Sequence, residues 1–204
     1  MTAIITDTTS GLPAEIAQKY QIPVIPQIIT FGEESYYEGI ELSNAQFMKK
    51  LRVASQLPKT AAPPPELFVK EFERLVPTNQ TIICIHPSAE VSGTVRSATV
   101  AAQDFPSADI RVIDTRAIGS PLATLVQLAA EWAANGMDAD TIEERLESGG
   151  QIAGSADRQF VWGLRYIDDL VCRTVNSTHD YAYQDANWNV VLSSAALARV
   201  GYAP

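Results

Sequence analysis

Ile85-His86-Pro87-Ser88-Ala89-Glu90-Val91-Ser92-Gly93-Thr94-Val95-Arg96-Ser97-Ala98 links an apolar strand, Thr81 to Ile85, to a run of helical character ending Ala98-Thr99-Val100-Ala101-Ala102. A strand that feeds a helix through a small polar loop is the repeating unit of an α/β fold. A Ser-Gly-Thr turn at such a junction presents hydroxyls and backbone N–H groups to an anion. The same residues also suit an ordinary helix N-cap, since Ser caps helices readily. The two readings are compatible.

The same alternation extends to both sides. Ala3-Ile4-Ile5-Thr6 is a short apolar run closed by the turn residues Asp7-Thr8-Thr9-Ser10-Gly11. Asp7 and Thr8 follow the first strand, where ligands of parallel sheets gather; Asp7 equally suits a cap for the next helix. That helix runs from about Pro13 to Tyr20. Ile22 to Phe31 is β-rich but broken by Pro23 and Pro26, which predicts an edge or irregular strand. Ser43 is placed to cap a helix carrying Phe47, Leu51 and Val53. Pro58 to Pro65 reads as a loop. Leu67, Phe68, Glu71, Phe72 and Leu75 fall at helical spacing. Ile110 to Asp114 is another strand, Leu122 to Asn135 a strongly apolar helix stopped by Gly136, and Asp140 to Leu146 one more helix. The pattern predicts an α/β fold with a largely parallel sheet and helices on both faces, followed by a short β-rich tail.

The tail begins after Gly149-Gly150. Residues 151–204 hold seven of the sixteen aromatics and lose helical periodicity. Phe160-Val161-Trp162, Leu170-Val171-Cys172, Tyr181-Ala182-Tyr183 and Asn189-Val190-Val191-Leu192 read as short strands between polar turns. The expected division is therefore 1–150 and 151–204, the second piece not an independent domain.

Composition excludes several function classes. The chain has 204 residues and a formal net charge of −9, which argues against nucleic acid or an anionic membrane as partner. Cys84 and Cys172 sit in no metal-ligand or redox spacing, and no metal site is expected. No stretch approaches membrane-spanning length and no leader is evident, so a cytoplasmic location is expected. His86 precedes a proline with no nucleophile beside it, His179 lies in a polar turn, and both read as non-catalytic. No catalytic residue is expected.

The ordered set of motifs resembles the DegV family of bacterial fatty-acid-binding proteins. Thr6-Asp7-Thr8-Thr9-Ser10-Gly11-Leu12-Pro13 is similar to the opening T-D-S-T-x-D-L-P of that family. Pro58-Lys59-Thr60-Ala61-Ala62-Pro63 is similar to its T-S-Q-P loop at Thr60 and Pro63, with Ala61 and Ala62 replacing the polar pair. Ser88-Ala89-Glu90-Val91-Ser92-Gly93-Thr94 is similar to its S-S-x-L-S-G-T signature. The resemblance covers about residues 3–148. It implies a carrier with no cofactor, holding a long-chain fatty acid in an apolar cleft. It also implies that Thr60, Ser92 and Gly93 bind the carboxylate, with Asp7, Thr8, Ser88 and Thr94 as loop contributors. A second domain that closes the tunnel and a fatty-acid kinase-type partner protein are implied as well. A hydroxyl donating to a charged carboxylate contributes about 1.5–3 kcal/mol. Each buried methylene adds about 0.8 kcal/mol, so the tail supplies most of the affinity and the head group fixes orientation.

The tail instead resembles a fragment of an RHS/YD-repeat protein, through Gln159 to Asp169 and Tyr183 to Val191. Such hairpins need neighbours to bury their faces. A chimeric chain, in which the carrier's second half is replaced and function lost, is therefore one alternative. Another is a serine-dependent α/β hydrolase or transferase with Ser92 as nucleophile, for which the sequence offers no G-x-S-x-G elbow.

Overall fold

The computed structural model describes residues 1–147 in full and, beyond them, the backbone of four strands. The chain divides into two compact units, Met1–Gly149 and Gly150–Pro204. The first unit begins β1 (Thr2–Asp7), α1 (Ala14–Tyr20), β2 (Val24–Ile25), β3 (Ile28–Phe31), β4 (Glu34–Tyr37), α2 (Asn44–Val53) and β5 (Lys59–Ala61). It continues α3 (Pro65–Leu75), β6 (Thr81–His86), α4 (Thr94–Ala102), β7 (Asp109–Asp114), α5 (Ser120–Ala134) and α6 (Ala139–Glu147).

β1, β2, β6 and β7 form a parallel sheet in the order β2-β1-β6-β7. Every residue of β6 is buried, as expected for a strand covered on both faces. Because side chains alternate along a strand, its apolar run supplies two cores. Ile83 and Ile85 join Ile4 under Leu122, Val126 and Ala129 of α5 and Ile142 of α6. Ile82 and Cys84 join Ile5 under Phe68 and Phe72 of α3 and Ala98 and Ala101 of α4. Phe68 and Phe72 are fully buried, each contributing about 1.5–3 kcal/mol by leaving water. The helices thus lie on both faces, as the alternation predicts.

The strand order places the chemistry. The chain leaves β1 for β2 on one side, while β6 pairs on the other side of β1. Tyr20 of α1 packs with the α5 core, whereas α4 packs on the opposite face. Connections diverging from adjacent strands open a crevice at the strands' carboxyl ends. Here those ends are Asp7 and His86.

Three local features depart from the sequence reading. The single irregular strand expected over Ile22–Phe31 is two strands, β2 and β3, parted by the buried Pro26. β3 turns back into β4 through Gly32, whose φ of +62° suits the tight two-residue turn, so the unit also holds an antiparallel sheet of order β4-β3-β5. The stretch read as a Pro58–Pro65 loop contains β5, which pairs Thr60 with Ile29. Three exposed residues carry no alternation of their own, and only the distant partner makes them a strand. Ser43 caps α2 as expected, in a reciprocal capping box with Gln46.

In the second unit, β8 (Gln159–Trp162), β9 (Leu170–Val175), β10 (Thr178–Gln184) and β11 (Val190–Ser193) pair antiparallel in the order β11-β10-β9-β8. The RHS/YD resemblance rests on side chains that lie outside the described residues.

Candidate functional site

Three loops meet at the carboxyl end of the parallel sheet. The first follows β1. Asp7 caps a single 3-10 turn, Thr8–Ser10, by accepting from the Thr9 backbone N–H and hydroxyl; Gly11, at φ +59°, closes the turn. The same carboxylate accepts from His86 Nδ1 at 2.7 Å, with both side chains fully buried. Burial pushes the Asp7 carboxyl up. Hydrogen bonding and attraction from His86, with the Thr9 donors, outweigh this and hold it below its ordinary value of 3.8. Asp7 is therefore both the cap and one half of a buried polar pair. The edge of Phe68 or of the imidazole closes against the other ring, 5.3 Å between centroids at 90°.

The second loop follows β6. Its turn is built by Ser88, whose carbonyl accepts from the Val91 and Ser92 N–H groups and whose Oγ accepts from Glu90 N. Ser88 is buried, so its place is in shaping the loop. The N-cap of α4 is Gly93, not Ser92, and the helix starts at Thr94. Ser92 Oγ instead sits 2.8 Å from the Thr94 hydroxyl and accepts from Thr94 N at 3.3 Å. The ordinary N-cap reading of Ser92 is thus corrected: a single glycine, with no side chain, takes that position.

Gln27 ties these two loops together. Its Nε2 donates to Asp7 Oδ1 at 3.1 Å and to Thr94 Oγ1 at 3.0 Å. The Gln27 backbone N–H donates to Thr8 Oγ1, which in turn donates to Glu38. Thr8 therefore links β1 to the β4 end and is occupied at both of its functions.

The third loop follows β5. Thr60 is exposed on that strand. A Cβ built on Gly93 would lie 3.4 Å from the Ala62 Cβ, so this loop abuts the Ser92-Gly93 turn. Beside the turn is an open depression of about 430 Å³ whose lining includes Val91, Ser92, Gly93 and Arg96.

Of the residues expected from sequence, the structure brings Asp7, Thr94 and Ser92 into one hydrogen-bonded chain and sets Gly93 against the Thr60 loop. Gln27 and His86 were not expected there. A signal existed for His86, because a polar residue ending a fully buried strand needs a partner. Among the described residues no hydrogen bond joins His86 to Ser92, and no cluster could hold a metal ion. No described helix is long and apolar enough to cross a membrane.

The profile of the family described as "Uncharacterised protein, DegV family" matches residues 1–151. The chain belongs to the DegV family. A DegV domain-containing protein of Clostridium perfringens is 36% identical over 143 residues, covering 70% of this chain and 51% of that protein. Protein DegV of Bacillus subtilis is 33% identical over 147 residues, covering 71% and 52%. Among solved structures, that of DegV from B. subtilis, described as a fatty acid binding protein, superposes with a TM-score of 0.68 at 32% identity, covering 72% of this chain and 52% of the other. A DegV family protein from Thermus thermophilus, described by its fatty acid binding, gives 0.68 at 26% identity, covering 78% and 55%. The chain spans about half the length of the DegV relatives it matches.

Proposed function

We propose that this chain binds a long-chain fatty acid and supplies the part of a lipid carrier that holds the carboxylate. The observation that supports the reading is the abutment of the Ala62 loop on Gly93, which brings the end of the strand carrying Thr60 up to the Ser92-Gly93 turn and the open depression beside it. A carboxylate there accepts from the Ser92 and Thr60 hydroxyls and from backbone N–H groups at the start of α4, whose dipole favours an anion. Arg96, in the first turn of α4, lines the same depression and offers a cation to the head group, with Glu90 on the same lining. The solved relatives described as fatty acid binding support the ligand class. The acyl tail lies in an apolar cleft and contributes most of the affinity. No covalent chemistry is needed: the carrier holds its ligand, in the cytoplasm, for a fatty-acid kinase-type partner enzyme.

The test is titration of the full chain with palmitate, beside Ser92→Ala. Loss of one hydrogen bond to a charged head group, about 1.5–3 kcal/mol, weakens binding about ten- to a hundredfold. Unchanged affinity in Ser92→Ala, with the variant folded, overturns the reading.

A further inference from the structure

The hydrogen-bond chain behind Ser92 has a direction, and the direction is set by buried groups. Gln27 Nε2 has two protons, one directed at Asp7 Oδ1 and the other at Thr94 Oγ1. The amide cannot be turned over, because its oxygen would then face a buried carboxylate. Thr94 is fully buried, and its hydroxyl contacts Gln27 Nε2 and Ser92 Oγ. Gln27 Nε2 is a donor, so it cannot receive the Thr94 proton. That proton goes to Ser92 Oγ, the remaining acceptor in reach. Ser92 Oγ also receives the Thr94 backbone N–H. Both of its acceptor positions are then taken from inside the protein, and its own proton is left to point outward.

We propose that Asp7, Gln27 and Thr94 form a one-way relay that presents Ser92 as a hydrogen-bond donor, so that the site selects head groups that accept over head groups that donate. Gln27 and Thr94 are positioning residues. They act through Ser92 and touch no ligand. The Asp7 carboxylate anchors the relay, and hydrogen bonds from His86 and Thr9 favour its ionised state against the cost of burial. The inference rests on the carboxylate reading of the site and adds to it a source of head-group specificity.

Two ligands with the same tail separate the effects: palmitate, whose head only accepts, and hexadecylammonium, whose head only donates. The full chain is expected to bind palmitate more tightly. Thr94→Val and Gln27→Met change no charge, and each frees a lone pair of the relay to turn Ser92 around. Both are expected to cut the palmitate-to-ammonium affinity ratio by about tenfold, the scale of one hydrogen bond made or reversed. Thr94→Ser keeps the hydroxyl and is expected to keep the ratio. Thermal unfolding of each variant confirms that it is folded. If Thr94→Val weakens both ligands equally, Thr94 is merely structural and the relay is overturned. If Ser92→Ala leaves palmitate binding unchanged, it is the carboxylate reading that fails, a distinct result.

Discussion

Replacing Asp7 by alanine removes one carboxylate and leaves four donors facing its place: His86 Nδ1, Gln27 Nε2, and the Thr9 backbone N–H and hydroxyl. His86 is fully buried and Gln27 nearly so, so neither regains water without opening the sheet. Deleting one partner of a buried, hydrogen-bonded pair that includes a carboxylate costs about 3–5 kcal/mol. That is a large share of the roughly 5–15 kcal/mol that holds a domain folded. Urea unfolding of the full chain, followed by helical ellipticity, measures it. His86→Leu is expected to be costly alone, because it strands the Asp7 carboxylate. In the Asp7→Ala background the same change costs less, since neither buried polar group is then left alone. The coupling energy in this cycle is expected at about 1–3 kcal/mol. Acid supplies the sign check. The folded carboxyl lies below its ordinary 3.8, so its contribution is complete above that pH and is lost as pH falls through the lower folded value. The gap between wild type and Asp7→Ala therefore holds from neutral pH down to about 3.8 and narrows only below it. Additive single-variant costs, or a gap that closes already near neutral pH, would refute the reasoning.

Three further outcomes can be checked independently. Gly119 enters α5 at φ +66° and ψ −140°, a conformation essentially reserved for glycine, so Gly119→Ala is expected to cost about 1–3 kcal/mol in the same urea assay. Phe72 is fully buried between Phe68 and Phe105, and Phe72→Ala is expected to cost about 3–5 kcal/mol through lost transfer energy and a cavity. Burial pushes the Cys84 thiol far up, so in a Cys172→Ser background a thiol reagent is expected to label it at the rate of unfolding; rapid labelling of folded protein would contradict its place in β6.

The layered fold was legible because its strands and helices announce themselves locally. Ile4-Ile5 and Ile82-Ile83-Cys84-Ile85 are apolar on both faces, and Phe68, Phe72 and Leu75 recur at helical spacing. What stayed hidden depends on partners far away in the chain. Thr60 gave no strand signal because β5 exists through pairing with β3. Ser92 looked like a cap because serine caps well, yet the Thr94 hydroxyl holds it in another role. Gln27 reads as a polar interruption of an apolar stretch, and nothing nearby in sequence shows that 67 residues later Thr94 will meet its amide.

The Asp7–His86 pair shows how such a site becomes readable. β1 and β6 run parallel with Thr2 opposite Thr81 and Ile5 opposite Cys84, a constant offset of 79 residues. Extending that register by two residues puts Asp7 opposite His86. Both strands have an isoleucine-rich middle and each ends in one ionisable group, so the register that buries the isoleucines also brings the two groups together. At the point where the connections leave in opposite directions, Phe68 of α3 covers the His86 ring and keeps water from the pair. The polar residues there must satisfy one another. Asp7 takes donors from His86 and from Gln27, and Gln27 links it in turn to the Thr94 and Ser92 hydroxyls beside the open depression, while His86 Nε2 stays without a partner among the described residues. Packing of the sheet and orientation of the candidate head-group donor are consequences of one strand register.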